Sequence, residues 1–342
     1  MRDSISRVPE GAIRFNTDSN KMEVWIGDKW MIVSTSSPNL AESGDTSAGA
    51  RGLFAGGGVP SQVNVIQAFN IAVQGNTFDF GDLTEIRYYA GGASSKTRAV
   101  WAGGIPAGTP QSDTIDFVTI SSLGNATTFG ELVGTDRSVM AGFSNQTRAC
   151  FAGGEAPSKV DEIDFVTIAS TGNALDFGNL TQARSTCIGL ASPTRGVVIG
   201  GSTPTYVNTI DFVTTASTGN AQDFGDQYEI VFGGGAGGNA TRGVMMGGAV
   251  PSDTSKSATI QYLTIATRGN TLDFGDLTQA RRYGACCSSP IRAVYCGGLY
   301  PSVANVMDSI NIATTGDAID FGDLFDHTFA IMNGCSNAHG GL

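Results

Sequence analysis

Apolar and polar residues alternate along most of this chain in short runs, and a helical period of apolar positions is nowhere sustained. The stretch 184–227 shows the pattern. A run of small residues, "RSTCIGLAS", is followed by "TRGVVIGG", then by the alternating "TIDFVTTAS", and finally by "QDFGDQ". Runs of this length and alternation, bounded by Gly, Asn, Pro and Ser, predict four short β-strands and no helix. Between the third and fourth runs stands Gly219-Asn220. Both residue types tolerate positive φ, so the step predicts a tight hairpin.

The same unit recurs. Its first anchor is an arginine ahead of Gly-Gly, at Arg51, Arg98, Arg148, Arg195, Arg242 and Arg292, spaced 47 or 50 residues apart. Its second is a D-F-G-like step containing Phe80, Phe129, Phe177, Phe224, Phe274 and Phe321, with aspartate ahead of it at Asp79, Asp176, Asp223, Asp273 and Asp320. Gly-Asn recurs at 75, 124, 172, 219 and 269, and Gly316-Asp317 takes its place in the sixth unit. Six four-stranded units in step predict an all-β, six-bladed β-propeller over residues 50–342. The first unit begins in mid-blade at Arg51, and "HTFAIMNGCSNAHGGL" (327–342) fits an inner strand with no Gly-Gly strand after it. The last strand is therefore expected to complete the first blade and leave no open edge.

Residues 1–35 differ in character. "PEGAIRFNTDSNKMEVWIGDKWMIVST" alternates between turn signals and predicts a small β-meander, too small to be stable without a partner surface. Phe15, Trp25 and Trp30 are its candidate attachment or oligomerisation residues. Residues 36–49 read as a polar linker.

Composition narrows the functions. With 31 acidic against 20 basic residues the net charge is −11, which disfavours nucleic acid and anionic membranes as partners. No signal-like apolar stretch opens the sequence and no run is long enough for a membrane helix, so a soluble chain without membrane insertion is expected. Six cysteines fall in apolar runs without C-x-x-C pairing, and only two histidines are present. Buried free thiols and no metal or other cofactor are expected.

The order of features in each unit resembles the kelch repeat, with the D-F-G phenylalanine standing where a kelch blade carries tryptophan. "GAIRFNTDSNKMEVWIGDKW" (11–30) resembles a short module near the N-termini of bacteriophage tail-fibre and other virion structural proteins, and the propeller-like repeats are similar to phage-encoded ones. That resemblance implies a non-enzymatic virion appendage or fibre-type protein, assembled in the host cytoplasm and present in several copies. It implies other virion proteins as partners, and a host-surface glycan or receptor as a ligand.

Recurrent arginines and aspartates in step suggest one structural bond per blade, or between blades, rather than a binding site. The D-F-G steps lack the glycine loop, H-R-D and β3 lysine of a protein kinase. An active site needs unlike groups converging at one point, and uniform repeats argue against that. Variation concentrates in the loops after Gly-Gly, which share one face of the disc with the connections between blades; there binding is expected. Tyr206, Tyr300, Asp113, Asp161, Glu162 and Asp253 are the candidate contacts. A purely structural virion protein touching only its neighbours, or a sugar-active propeller enzyme, are the alternatives.

Overall fold

The alternating runs form strands. The computed structural model describes residues 9, 11–16, 21–26, 29–32, 50–58, 61–251, 256–300, 302–325 and 334–342. The chain divides into two units, residues 1–43 and 44–342.

In the larger unit six antiparallel four-stranded sheets follow one another, and the described residues form no helix. Sheet two comprises Gly91–Ser94, Arg98–Ala102, Thr114–Thr119 and Thr127–Glu131. Sheet three comprises Ala141–Ser144, Arg148–Ala152, Glu162–Thr167 and Leu175–Asn179. Sheet four comprises Ile188–Ala191, Arg195–Ile199, Thr209–Thr214 and Gln222–Asp226. Sheet five comprises Gly235–Gly238, Arg242–Ala249, Lys256–Thr264 and Leu272–Asp276. Sheet six comprises Ala285–Ser288, Arg292–Cys296, Val306–Asn311 and Ile319–Asp323. Sheet one takes three strands from the start of the repeats, Arg51–Gly57, Val63–Asn70 and Phe78–Asp82, and its inner strand, Cys335–Ser336, from the other end of the sequence. Small antiparallel sheets of this kind are consistent with the blades of a β-propeller.

The D-F-G step is a bulge. In sheet two Ile115 faces Gly130 while Asp116 faces Thr128, so Phe129 is the extra residue on the outer strand. The same shift recurs at Ile163/Asp164, Ile210/Asp211, Ile260/Gln261, Met307/Asp308 and Ile66/Gln67. A bulge re-aims one side chain. Here it turns Phe80, Phe129, Phe177, Phe224, Phe274 and Phe321 into the core, each almost fully buried. There Phe129, Phe177 and Phe224 meet a third-strand ring edge-on, at 5.6–5.9 Å between centroids. Edge-to-face packing of this kind adds to simple area burial.

The Gly-Asn steps do not make the hairpins. The reversals come earlier, in turns such as Thr119–Ser122 and Thr167–Ser170, closed by a backbone bond from Ser122 to Thr119 and from Ser170 to Thr167. The Gly-Asn step that follows lies against the outer strand of the preceding sheet instead. Gly124 N–H donates to the Phe80 carbonyl at 2.9 Å, Ala126 N–H donates to Asp82 at 2.7 Å, and the Asn125 side chain accepts from Asp82 N–H at 3.1 Å. A Cβ on Gly81 would lie 2.4 Å from the Gly124 oxygen, and Gly81 has φ +148°. Glycine is needed there both for the close approach and for the backbone conformation.

The smaller unit is a three-stranded meander, Ile13–Asn16, Lys21–Ile26 and Lys29–Ile32, paired in sequence order. The linker expected at 36–49 lies outside the described residues.

Candidate functional site: the loop face and the mouth of the cavity

The repeat arginines do not bond the D-F-G aspartates. Each extends along its strand to a carbonyl of the next sheet. Arg98 donates to Ile168 at 3.0 Å, Arg148 to Thr215 at 3.0 Å, Arg195 to Ile265 at 2.9 Å, Arg242 to Ile312 at 2.9 Å, Arg51 to Ile120 at 2.7 Å and Arg292 to Ile71 at 3.0 Å. On the way each guanidinium crosses an aromatic face, for example Arg148 over Phe165 at 4.6 Å and Arg242 over Tyr262 at 4.6 Å. The D-F-G aspartates Asp176, Asp223, Asp273 and Asp320 sit exposed on outer strands, and Asp79 accepts from Gly81 N–H at 3.1 Å. The bulge explains the difference, because it points phenylalanine inward and leaves its neighbour facing solvent.

A second set of arginines makes the ion pairs. Arg87, Arg137, Arg184 and Arg281 lie in the connections between sheets and reach the third-strand aspartates Asp116, Asp164, Asp211 and Asp308. All eight side chains are buried. Each aspartate also accepts the N–H of the residue that opens the connection: Thr84, Val133, Thr181 or Thr278. Burial pushes the Arg87 guanidinium down and the Asp164 carboxyl up, and the facing charges oppose both shifts. In sheet five the pair is absent as a unit. Val231 stands for the arginine and Gln261 for the aspartate, and Gln261 exchanges hydrogen bonds with the Glu229 backbone. Thr271 then replaces the alanine of Gly-Asn-Ala and donates to Gln261 at 2.7 Å. Sheet one repeats the substitution with Gln67 and Thr77, again at 2.7 Å.

In sheets two to six the start of the loop after Gly-Gly bridges back to the connection that precedes its sheet, as in Ser138 with Glu155 and Ser185 with Ser202. Of the expected contact residues, Tyr206 stacks flat on Phe232, with centroids 3.8 Å apart and planes at 10°. Asp113 and Asp161 are half-buried framework positions whose carbonyls accept from Leu132 and Leu180 N–H. Glu162 is exposed, and its carbonyl accepts from Arg137 and Gly153. Asp253 and the Tyr300 side chain lie outside the described residues.

Tyr206 belongs to a larger aromatic group that the sequence reading missed. Tyr88 packs on Tyr89 at 4.8 Å, Tyr89 meets Tyr283 edge-on at 6.0 Å, and Arg282 lies 5.1 Å over Tyr283. The Tyr283 ring covers Gly233, where a Cβ would come within 2.5 Å of it. Tyr89, Val139, Thr186, Gly233 and Tyr283 occupy one repeat position, two residues ahead of the start of the inner strand, all with φ near +60°. Backbone bonds from Val139 to Tyr89, Thr186 to Val139 and Tyr283 to Gly233 link them. Left-handed backbone at a β-branched or aromatic residue persists only where its surroundings impose it, and this linkage supplies the constraint. Burial and the neighbouring phenols hold Tyr89 up at about 12 and burial raises Tyr283, so both hydroxyls stay neutral and available as donors.

The inner strands line a cavity of about 40 Å³, far smaller than a small-molecule pocket. Its wall includes Ser94, Ser144, Ser288, Ser336, Cys286 and His339. All six cysteines are buried free thiols, and burial raises Cys150, Cys286 and Cys335 to about 12. Among the described residues no group of three or more His, Cys, Asp or Glu could hold a metal ion.

In the N-terminal sheet the two faces differ. Trp25 and Trp30 meet edge-on at 5.3 Å, Arg14 lies 4.2 Å over Trp30, and Arg14 bonds Glu23 at 2.7 Å. This face is closed by its own side chains. The other face leaves Ile13 64%, Phe15 58%, Ile26 51% and Met31 43% exposed. The attachment candidates therefore separate: Phe15 is on the open face, and the two tryptophans hold the other one.

No protein-family model matches this chain, and no curated protein matches it.

Proposed function

We propose that this chain is a non-enzymatic virion structural protein of the tail-fibre or appendage type, in which a six-bladed kelch-like propeller is displayed on an N-terminal assembly module. The observation that carries the reading is the open apolar face of Ile13, Phe15, Ile26 and Met31 on a sheet too small to persist alone. That face assembles copies of the chain and seats them against other virion proteins.

Three features support closure of the ring. Inner strands neighbour one another from Gly91–Ser94 through Ala285–Ser288 to Cys335–Ser336, which in turn neighbours Gly91–Ser94. The arginine-to-carbonyl ties return from Arg292 to Ile71 of sheet one. The Gly-Asn straps do the same, with Gly75 N–H donating to Phe321 of sheet six at 3.0 Å. The repeat arginines and the buried Arg–Asp pairs are tied into this framework. Recognition falls to the loop face, where the tyrosines around Tyr89 and Tyr206 supply flat apolar surface and neutral hydroxyls for a host-surface glycan or receptor. The test is mass spectrometry of gradient-purified particles, with antibody labelling on the particle. The reading expects the chain in several copies at an external position; its absence from purified particles overturns it.

A further inference from the structure

The last residue of the inner strand of sheet one and the short segment after it together touch all six sheets. Ser336 N–H donates to Ser94 Oγ of sheet two at 3.1 Å, and its hydroxyl donates to the Ser288 carbonyl of sheet six. Asn337 Oδ1 accepts from Arg51 N–H of sheet one at 2.7 Å. His339 then crosses to sheets two and three, with Nε2 3.0 Å from the Ser94 carbonyl and 3.2 Å from Ser144 Oγ. Gly340 packs so closely on sheets four and five that a Cβ would lie 2.7 Å from the Ala191 oxygen and 2.4 Å from that of Asn239.

Both nitrogens of His339 are engaged. Nε2 faces a carbonyl and must carry the proton, while Nδ1 accepts from Gly341 N–H at 3.1 Å. Only the neutral imidazole fits. A second proton, on Nδ1, would set N–H against N–H. The titratable groups facing the ring across the cavity are the thiols of Cys286, Cys287 and Cys335, and burial raises all three. Among the described residues no aspartate or glutamate side chain lines this wall to balance an imidazolium.

The geometry points to an acid-sensitive latch: neutral His339 holds residues 337–341 across one end of the cavity, and its protonation releases them and loosens the joint between Cys335–Ser336 and Arg51–Gly57. This inference rests on the closed-ring reading. Burial lowers His339 from 6.5 to about 4. The sign follows: the latch is at full strength above pH 6.5, where the group is neutral whether held or released, and weakens as pH falls toward 4. Between pH 7.5 and pH 5 that shift corresponds to about a 30-fold change in the opening equilibrium.

The test is amide hydrogen exchange of the full chain at these two pH values, corrected for the pH dependence of chemical exchange. Protection across Ser336–Gly341 is expected to fall about 30-fold at pH 5 while other inner strands hold. In His339→Gln, whose amide can still donate to Ser94, protection is expected to be independent of pH. Unchanged protection in the native chain, or the same fall in the variant, overturns the latch. Should the variant fail to fold, NMR titration of the native imidazole decides: a pKa well below 6 with the proton on Nε2 upholds the latch, and an ordinary pKa or an Nδ1 proton overturns it. Absence of protection at Cys335–Ser336 even at pH 7.5 overturns the closed ring, and the latch with it.

Discussion

Arg87 Nη2 lies 2.9 Å from an Asp116 carboxylate oxygen, and both side chains are sealed from solvent. Removing Asp116 leaves the buried Arg87 charge with only Glu85, one-third exposed and 3.3 Å from Nη1, to offset it. Asp116→Ala is expected to lower unfolding free energy by about 3–5 kcal/mol, measured by urea denaturation. The chain itself supplies the control. Transplanting the sheet-five solution as Arg87→Val, Asp116→Gln and Ala126→Thr together should recover most of that loss, because Val231, Gln261 and Thr271 already coexist in sheet five. A triple variant no better than Asp116→Ala would refute this account of the pair.

Arg148 ties two sheets with one guanidinium, through the Thr215 carbonyl at 3.0 Å and the Phe165 face at 4.6 Å. Arg148→Ala is expected to cost about 2–4 kcal/mol, the sum of a charged hydrogen bond and a partly buried cation–π contact. Exposed Asp176→Ala, by contrast, should change stability by no more than about 0.5 kcal/mol. Equal losses in the two variants would restore the Arg–Asp bond that the sequence suggested.

How much of this was legible in the sequence depended on range. Strand runs and anchors are local, so six units of four strands could be read from "TRGVVIGG" and "DFGDL" alone. The partner of Arg148 could not, because it belongs to the next sheet. The same limit made Gly124-Asn125 look like a hairpin when it straps sheet two to Phe80 and Asp82 of sheet one. Arg87 and Asp116 were readable in principle: across the repeats, aspartate in "TIDFVT" accompanies arginine in the connection, and glutamine in "TIQYLT" accompanies Val231. Tyr88-Tyr89 differs from Ser138-Val139 and Ser185-Thr186 at the same place, but its partner Tyr283 comes from a distant connection that the local run does not reveal.

Gly81 stands 2.4 Å, measured from an added Cβ, from the Gly124 oxygen at a φ that side chains rarely adopt. Gly81→Ala is expected to destabilise by about 2 kcal/mol or more through backbone strain and separation of the strap. Gly108→Ala, where nothing lies within 4 Å, has only its φ of +84° against it and should cost about 1 kcal/mol. Thermal unfolding of the two variants side by side measures the difference, and equal costs would show that the strap contact contributes nothing.

The six buried thiols offer a probe of the packed state. With Cys150, Cys286 and Cys335 raised to about 12, almost no thiolate forms at pH 8. No thiol is expected to react with iodoacetamide in the native protein, and all six should react in denaturant. Native labelling of any of them, located by mass spectrometry, would mark a place where the packing opens.

The most direct test of the account is sedimentation velocity of the full chain beside the variant Ile13→Ser, Phe15→Ser. The native chain should sediment as a defined oligomer and the variant as a compact monomer with unchanged thermal unfolding of the repeats. That outcome would assign assembly to the open face of the N-terminal sheet and leave the repeat region as a displayed head. An oligomer that survives both substitutions, or a native chain that is monomeric at every concentration, would contradict it.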